Sequence, residues 1–278
     1  MVQRIIDIKT DGLAVFDKDT RRLVICLEYC SMIIALVDKT NNHWVATEVL
    51  QCSEEDMEEM DGLMEQLKQH SALLNYTGLD TKIFIRTPNV MPVPNAYEQD
   101  ARNFLQIQFG LLKQDVVIKE QVNSEISVAL KTNGDWLDPF TSLFPQATIH
   151  TSLGWLIKQT LSNSSSHVFP VLQTVFCNGL VEMVLVKGHD LLIAKCFRYN
   201  TVEDMNYQLL NICRQLNISP AEVALRVQGL VADGSPLYAS LPKYFADVQF
   251  ANAEMGDWGA AYTTIPGHYF TSLIFASS

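Results

Sequence analysis

At 278 residues the chain is long enough for one large domain or two ordinary ones, and its 48% apolar content supplies a packed core and argues against disorder. A formal net charge of −11 and a pI near 4.9 disfavour nucleic acid and anionic membrane surfaces as partners, since both reward positive charge. Only 18% of the residues are charged, which suits a protein with a buried interface between lobes or subunits.

No apolar run reaches membrane-spanning length; the longest, such as Met32 to Val37, have the length of a strand. The segment Met1-Val2-Gln3-Arg4-Ile5-Ile6-Asp7 lacks the apolar core and cleavage site of a signal peptide, so cytoplasmic residence is the expectation. The six cysteines, at 26, 30, 52, 177, 196 and 213, form no two close pairs of the kind that hold zinc, and they read as structural thiols in a reducing compartment.

In chain order, Leu23 to Tyr29, Met32 to Val37 and His43 to Leu50 read as three strands. Ser53-Glu54-Glu55-Asp56 reads as a helix cap, followed by Met57, Met60, Leu63, Met64 and Leu67 at helical spacing. The acidic residues of that first turn suit the helix macrodipole and read as a solvated face. Ile83 to Ile85 reads as a strand, Val90 to Pro94 as a stiff loop or recognition surface, and Leu105 to Phe109 as a further strand after a short helix. Asp115 to Glu120 and Ile126 to Lys131 are strand-like, Trp136 to Phe144 helical, and Ile149 to Leu161 an apolar segment. The tract Ser162-Asn163-Ser164-Ser165-Ser166 has the composition of a connection between lobes.

The second half repeats the plan. Val168 to Phe176, Leu180 to Val186 and Asp190 to Phe197 are strands, Thr201-Val202-Glu203-Asp204 is a helix cap, and Met205, Leu209, Leu210, Ile212, Cys213 and Leu216 form the stripe. Val223 to Leu225, a short helix after Pro236, and Asp247 to Phe250 complete the unit. Without a gap, Ser31–Met57 aligns with Gly179–Met205, and Lys39, Ala46, Glu55, Asp56 and Met57 recur as Lys187, Ala194, Glu203, Asp204 and Met205. Tyr97 to Phe109 aligns in the same way with Tyr238 to Phe250. The expected organisation is therefore an internal duplication: a first lobe over 1–161 with its core at 23–109, and a second over 162–278 with its core at 168–250.

Three antiparallel strands, a helix, then strand-helix-strand resembles the ribonuclease-H-like unit. Two such units in tandem resemble the actin, Hsp70 and sugar-kinase superfamily. The implied fold is α/β, with two lobes of mixed five-stranded sheets and helices. From about Leu23 onward the chain also resembles a bacterial family of unknown function, number 3822. The stretch from Leu191 to Asp204, Gly229, Leu237-Tyr238, Lys243-Tyr244 and Val248-Gln249-Phe250 carry that resemblance, with Pro92-Val93-Pro94 and Phe144-Pro145 adding to it.

The superfamily resemblance implies a phosphate loop in the first hairpin of each lobe and a Gly-Gly pair for adenosine. Here the first hairpin, Leu27-Glu28-Tyr29-Cys30-Ser31, has no glycine. The second, Phe176-Cys177-Asn178-Gly179, has one glycine and no acid, and Val227-Gln228-Gly229-Leu230 has one glycine where two are expected. Ile6-Asp7-Ile8-Lys9-Thr10-Asp11-Gly12 echoes a phosphate loop but precedes the first repeat strand and has Lys9 where glycine belongs. No cofactor is expected, and ATP with magnesium is disfavoured. The expected role is a non-catalytic, degenerate actin-like protein acting through a protein partner, with a homo-oligomer also allowed.

The alternative is an enzyme or sensor holding a small ligand between the lobes at Glu28, Asn178, Gly179, Gln228 and Gly229. On that reading, serine or alanine at Gly229 removes binding and spares the fold. A cleft filled by side chains favours the first role and an open polar cleft the second. His150 and His268, which precede similar apolar segments, either bond locally or face each other across the lobes.

Overall fold

The computed structural model of the chain describes residues 2–10, 13, 17–53, 56, 62–164, 168–251, 260–263 and 265–273. The methionines at 57 and 60, the acids of the 54–59 run other than Asp56, the pair Asp11-Gly12 and the Gly256–Gly259 loop with Trp258 lie outside the described residues.

The first lobe opens with strands β1 (Gln3–Lys9), β2 (Arg21–Glu28), β3 (Ser31–Asp38) and β4 (His43–Gln51), then helix α1 (Leu63–His70) and strand β5 (Asp80–Ile85). An insertion follows: β6 (Val90–Pro94), α2 (Ala101–Phe109), β7 (Asp115–Gln121), β8 (Ile126–Asn133) and α3 (Gly134–Leu143). The chain then returns to the first sheet as β9 (Thr148–Thr151) and leaves it through α4 (Ser152–Ser164). The second lobe runs β10 (Val171–Cys177), β11 (Leu180–Lys187), β12 (Asp190–Arg198), α5 (Val202–Gln215), β13 (Ala224–Gly229), α6 (Pro236–Ser240) and β14 (Asp247–Phe250).

The two main sheets repeat one topology. The second has the order β12-β11-β10-β13-β14; the first has β4-β3-β2-β5-β9, with β1 added outside β4. In each the first three strands are antiparallel and the last two join in parallel. The inserted strands form their own antiparallel sheet, β6-β8-β7. No helix among the described residues is long and apolar enough to cross a membrane.

Strands β2, β3, β10 and β11 are mostly apolar because they are buried on both faces, which removes the polar alternation of a half-exposed strand. Leu23, Ile25 and Leu27 point into a core that continues through Leu153, Leu156 and Ile157 of α4 to Val171, Val175 and Val184 of the second sheet. That continuity makes much of the lobe interface apolar and discourages hinge motion. Val24, Cys26, Ile33 and Trp44 face the other way and are covered by Tyr262, Phe270 and Leu273. The C-terminal turns, grouped by sequence with the second repeat, thus close the outer face of the first sheet. There Thr47 Oγ1 and the Tyr262 hydroxyl share a 2.7 Å hydrogen bond.

The second aligned block does not hold its register. Leu105 to Phe109 is the end of helix α2, whereas Asp247 to Phe250 is strand β14. The apolar/polar alternation Leu105-Gln106-Ile107-Gln108-Phe109 invites a strand reading. Only Ala101 and Leu105, four apart, are buried, while Ile107 is 82% exposed, so the helical period decides. The counterpart of β14 is β9, which comes after the insertion. The first block is also offset within its strands: Glu28 pairs with Ser31 and Cys177 with Leu180, so Ser31 corresponds to Leu180 and not to Gly179. Val90 to Pro94 is a strand rather than a loop, and Val93 is buried against Ala101, Leu105 and Ala129. Residues 162–164 of the serine tract are the last turn of α4, where Ser164 Oγ donates to the Gly188 carbonyl at 3.0 Å.

The repeated helix cap does hold. The Asp56 N–H donates to Ser53 Oγ at 3.2 Å while Asp56 Oδ2 accepts from the Ser53 N–H at 2.8 Å. Thr201 and Asp204 make the same reciprocal pair, with bonds of 3.1 and 3.2 Å. Thr201→Ala is expected to cost about 1 kcal/mol in denaturant unfolding, because one helix N–H loses its acceptor.

The insertion is fastened to the first sheet by Glu120 of β7. Its carboxylate accepts from the Thr151 N–H at 2.7 Å and the Thr151 hydroxyl at 2.8 Å, and meets His150 Nδ1 and Lys158 Nζ, each at 3.2 Å. Burial alone would raise its pKa, but the His150 and Thr151 hydrogen bonds and the Lys158 charge outweigh burial and bring it from 4.5 to about 2. A depressed carboxylate contributes fully above its unfolded pKa and loses that contribution as pH falls through its folded one. Stability is therefore expected to fall between pH 4.5 and about 2, by on the order of 2–3 kcal/mol from this group. Glu120→Gln should remove that part of the acid dependence in pH-resolved unfolding.

Candidate functional site

Three charged residues meet where the lobes join. Glu28 ends β2, at the first hairpin of the first lobe. Arg86 follows β5, where its N–H donates to the Leu27 carbonyl at 2.9 Å and extends the parallel ladder by one step. Glu182 lies on β11, just past the first hairpin of the second lobe. Arg86 Nε donates to Glu182 Oε2 at 2.8 Å, and Arg86 Nη1 contacts Glu28 Oε1. The other carboxylate oxygens are also used: Ser31 Oγ donates to Glu28 Oε2 at 2.9 Å, and the hydroxyl of Ser152, the first residue of α4, donates to Glu182 Oε1.

Exposure is 1% at Glu28, 3% at Arg86 and 1% at Glu182. Burial opposes the Arg86 charge, but the acidic surroundings more than offset it and hold the guanidinium well above its ordinary pKa. Burial pushes the neighbouring Cys26 and Cys177 thiols up, which keeps them protonated and unreactive. All six cysteines are thiols and not disulfides. Two carboxylates and one guanidinium, closed off from water and bonded to one another, tie the lobes together and leave none of the three available for chemistry.

The five residues expected at an interlobe ligand site fall into three settings. Glu28 is in the buried triad. Asn178 and Gly179 form the exposed β10–β11 turn, where Gly179 takes φ +67°. Gln228 is fully buried on β13, in one cross-strand row with Val175 and Glu182, and its side-chain amide has no hydrogen-bond partner among the described residues. Gly229, at φ +88°, lies against β10: a Cβ there would fall on the Phe176 carbonyl oxygen and within 2.8 Å of the Phe176 nitrogen. The glycine makes room for a strand, so the expectation that alanine or serine at 229 spares the fold is overturned. The two histidines have separate partners, of which only the Thr148 hydroxyl, 3.0 Å from His150 Nε2, is local in sequence. His150 meets Glu120 and stacks on Phe84 at 5.2 Å; His268 Nε2 lies 2.7 Å from the Val231 carbonyl and stacks on Phe250 at 3.8 Å.

Arg86 and Glu182 were not singled out by sequence reasoning. The usable signal was a lone charge in an apolar strand, as in Leu180-Val181-Glu182-Met183-Val184, and a lone Arg86 after Ile83-Phe84-Ile85. Beside the triad a cavity of about 280 Å³ opens between the lobes, lined by Tyr29, Asn89, Lys131, Asn133, Trp136 and Arg198 among others. The Arg198 guanidinium stacks 4.0 Å from the centre of the Tyr29 ring, across the lobe boundary. Lys131 is committed to Asp115 at 2.9 Å.

Two copies of a β-β-β-α-β-α-β unit, joined at their first hairpins and parallel strand ends, define the actin-like ATPase fold. A Bacteroides thetaiotaomicron protein with an actin-like ATPase fold and unknown function is similar over 91% of this chain and 100% of its own, with a TM-score of 0.76 at 16% identity. The PilM–PilN type IV pilus biogenesis complex is similar over 92% of this chain and 97% of that one, with a TM-score of 0.57 at 11% identity. The chain belongs to the family described as "Protein of unknown function (DUF3822)", which it matches over residues 11–248. No curated protein matches it in sequence.

Proposed function

We propose that this protein is a non-catalytic actin-fold adaptor that works in the cytoplasm by binding another protein and does not turn over ATP. The observation behind this reading is the occupied centre. Where an actin-like ATPase presents two phosphate loops to one nucleotide, this chain places the buried Glu28–Arg86–Glu182 cluster, with two carboxylates to one guanidinium. A polyphosphate brought there would meet surplus negative charge and a first hairpin without glycine. The Gly229 strand edge is filled by β10. The similar pilus structure is itself a complex of two named components, PilM and PilN, so the scaffold is compatible with a protein ligand.

The test is purification of the tagged full chain from its native cytosol, followed by reconstitution of any co-purifying protein. A complex of fixed stoichiometry that survives size-exclusion chromatography supports the reading. A monodisperse monomer that forms no such complex contradicts it.

A further inference from the structure

We propose that the cavity between Tyr29, Trp136 and Arg198 is a binding site for a small organic monocarboxylate. This goes beyond the protein-binding reading and does not depend on it.

The ligand class follows from which charges are already committed. Three cationic side chains line the cavity. Arg86 is held by Glu28 and Glu182, and Lys131 by Asp115. Among the described residues no carboxylate pairs with Arg198. Its guanidinium carbon lies 4.0 Å over the centre of the Tyr29 ring. A cation over a ring face is held by the ring's electrons, and the guanidinium's N–H fork matches the two oxygens of a carboxylate.

Size and surroundings narrow the class further. At about 280 Å³ the cavity lies at the lower end of the usual range for ligand pockets, which suits a single ring or a short chain. The half-buried Trp136 offers an apolar wall for the body of such a ligand. The Asn133 side-chain oxygen is spent on the Asp135 N–H at 2.9 Å, which leaves its amide nitrogen as a donor. The triad next door carries one more negative than positive charge, so a single negative charge on Arg198 is tolerated and a doubly charged phosphate is penalised. The site draws Tyr29 and Trp136 from the first lobe and Arg198 from the second.

The experiment is an NMR titration of the full-length protein with benzoate, indole-3-acetate and phenyl phosphate, following the indole N–H signals. Saturable shifts with at least one of the two carboxylates are expected, with phenyl phosphate at least tenfold weaker. Arg198→Ala should weaken the carboxylate at least tenfold, while Arg198→Lys, which keeps the charge but loses the fork, should weaken it less. Because Arg198 is exposed, both variants are expected to fold, and circular dichroism checks this. The proposal is overturned if neither carboxylate shows saturable binding, if Arg198→Ala leaves the affinity unchanged, or if phenyl phosphate binds as tightly.

Discussion

Arg86→Met is expected to destabilise the protein by about 3–5 kcal/mol in guanidinium unfolding, a large share of the stability of an ordinary domain. The substitution keeps side-chain length but leaves Glu28 and Glu182, each 1% exposed, without a counter-charge. The cost comes mainly from the stranded acids, not from a lost attraction. Converting all three positions together (Glu28→Gln, Arg86→Met and Glu182→Gln) should therefore recover most of the loss, since removing a whole buried ionic cluster is often close to neutral. A triple variant as unstable as Arg86→Met alone would show that the cluster's net attraction, and not the desolvation of unpaired charge, carries the effect.

Gly229→Ala is expected to cost about 2–5 kcal/mol. Roughly 1–2 kcal/mol comes from a side chain in the left-handed region and about 1–3 from overpacking. The contacting atoms are backbone, so no side chain can swing aside. The Phe176 carbonyl, on which the new Cβ would fall, is also the acceptor for the Leu230 N–H at 2.9 Å. Relief of the clash would therefore open the β10–β13 pairing at its end. Gly179→Ala is the control: it shares a positive φ but meets only the Tyr199 carbonyl oxygen, at 3.8 Å, and should cost only the backbone strain.

These two positions show how far the sequence could be read. The strands were legible because an apolar run such as Met32 to Val37, or Met183 to Val186, has few other homes, and the helix caps were legible because Ser53/Asp56 and Thr201/Asp204 bond reciprocally over four residues. The segment 105–109 was misread because five residues cannot separate a period of 2 from one turn of helix when a single stripe is buried. Ile149 to Leu161 gave no sign of where β9 ends and α4 begins, since Thr151-Ser152 carries no glycine or proline.

At the site the difficulty was different. A glycine needed for the approach of a strand, as at 229, has the same letter as one needed for the approach of a phosphate. Glu28, Arg86 and Glu182 lie far apart in sequence, and only the pairing of two sheets across α4 brings them together. Each stood out as a charge among apolar neighbours, but nothing local names its partner. The cavity beside them combines Tyr29, Trp136 and Arg198 from three parts of the chain, so its lining was not readable from any one of them.

On the proposed function, buried side chains occupy the place between the lobes where the resembled superfamily holds its nucleotide. Isothermal titration of the full chain with magnesium-ATP, alongside ADP and GTP, tests it most directly. The account predicts no saturable heat at millimolar nucleotide. Binding in the micromolar range, lost in a variant that separates the lobes at Glu182, would contradict it and point to a nucleotide-gated switch.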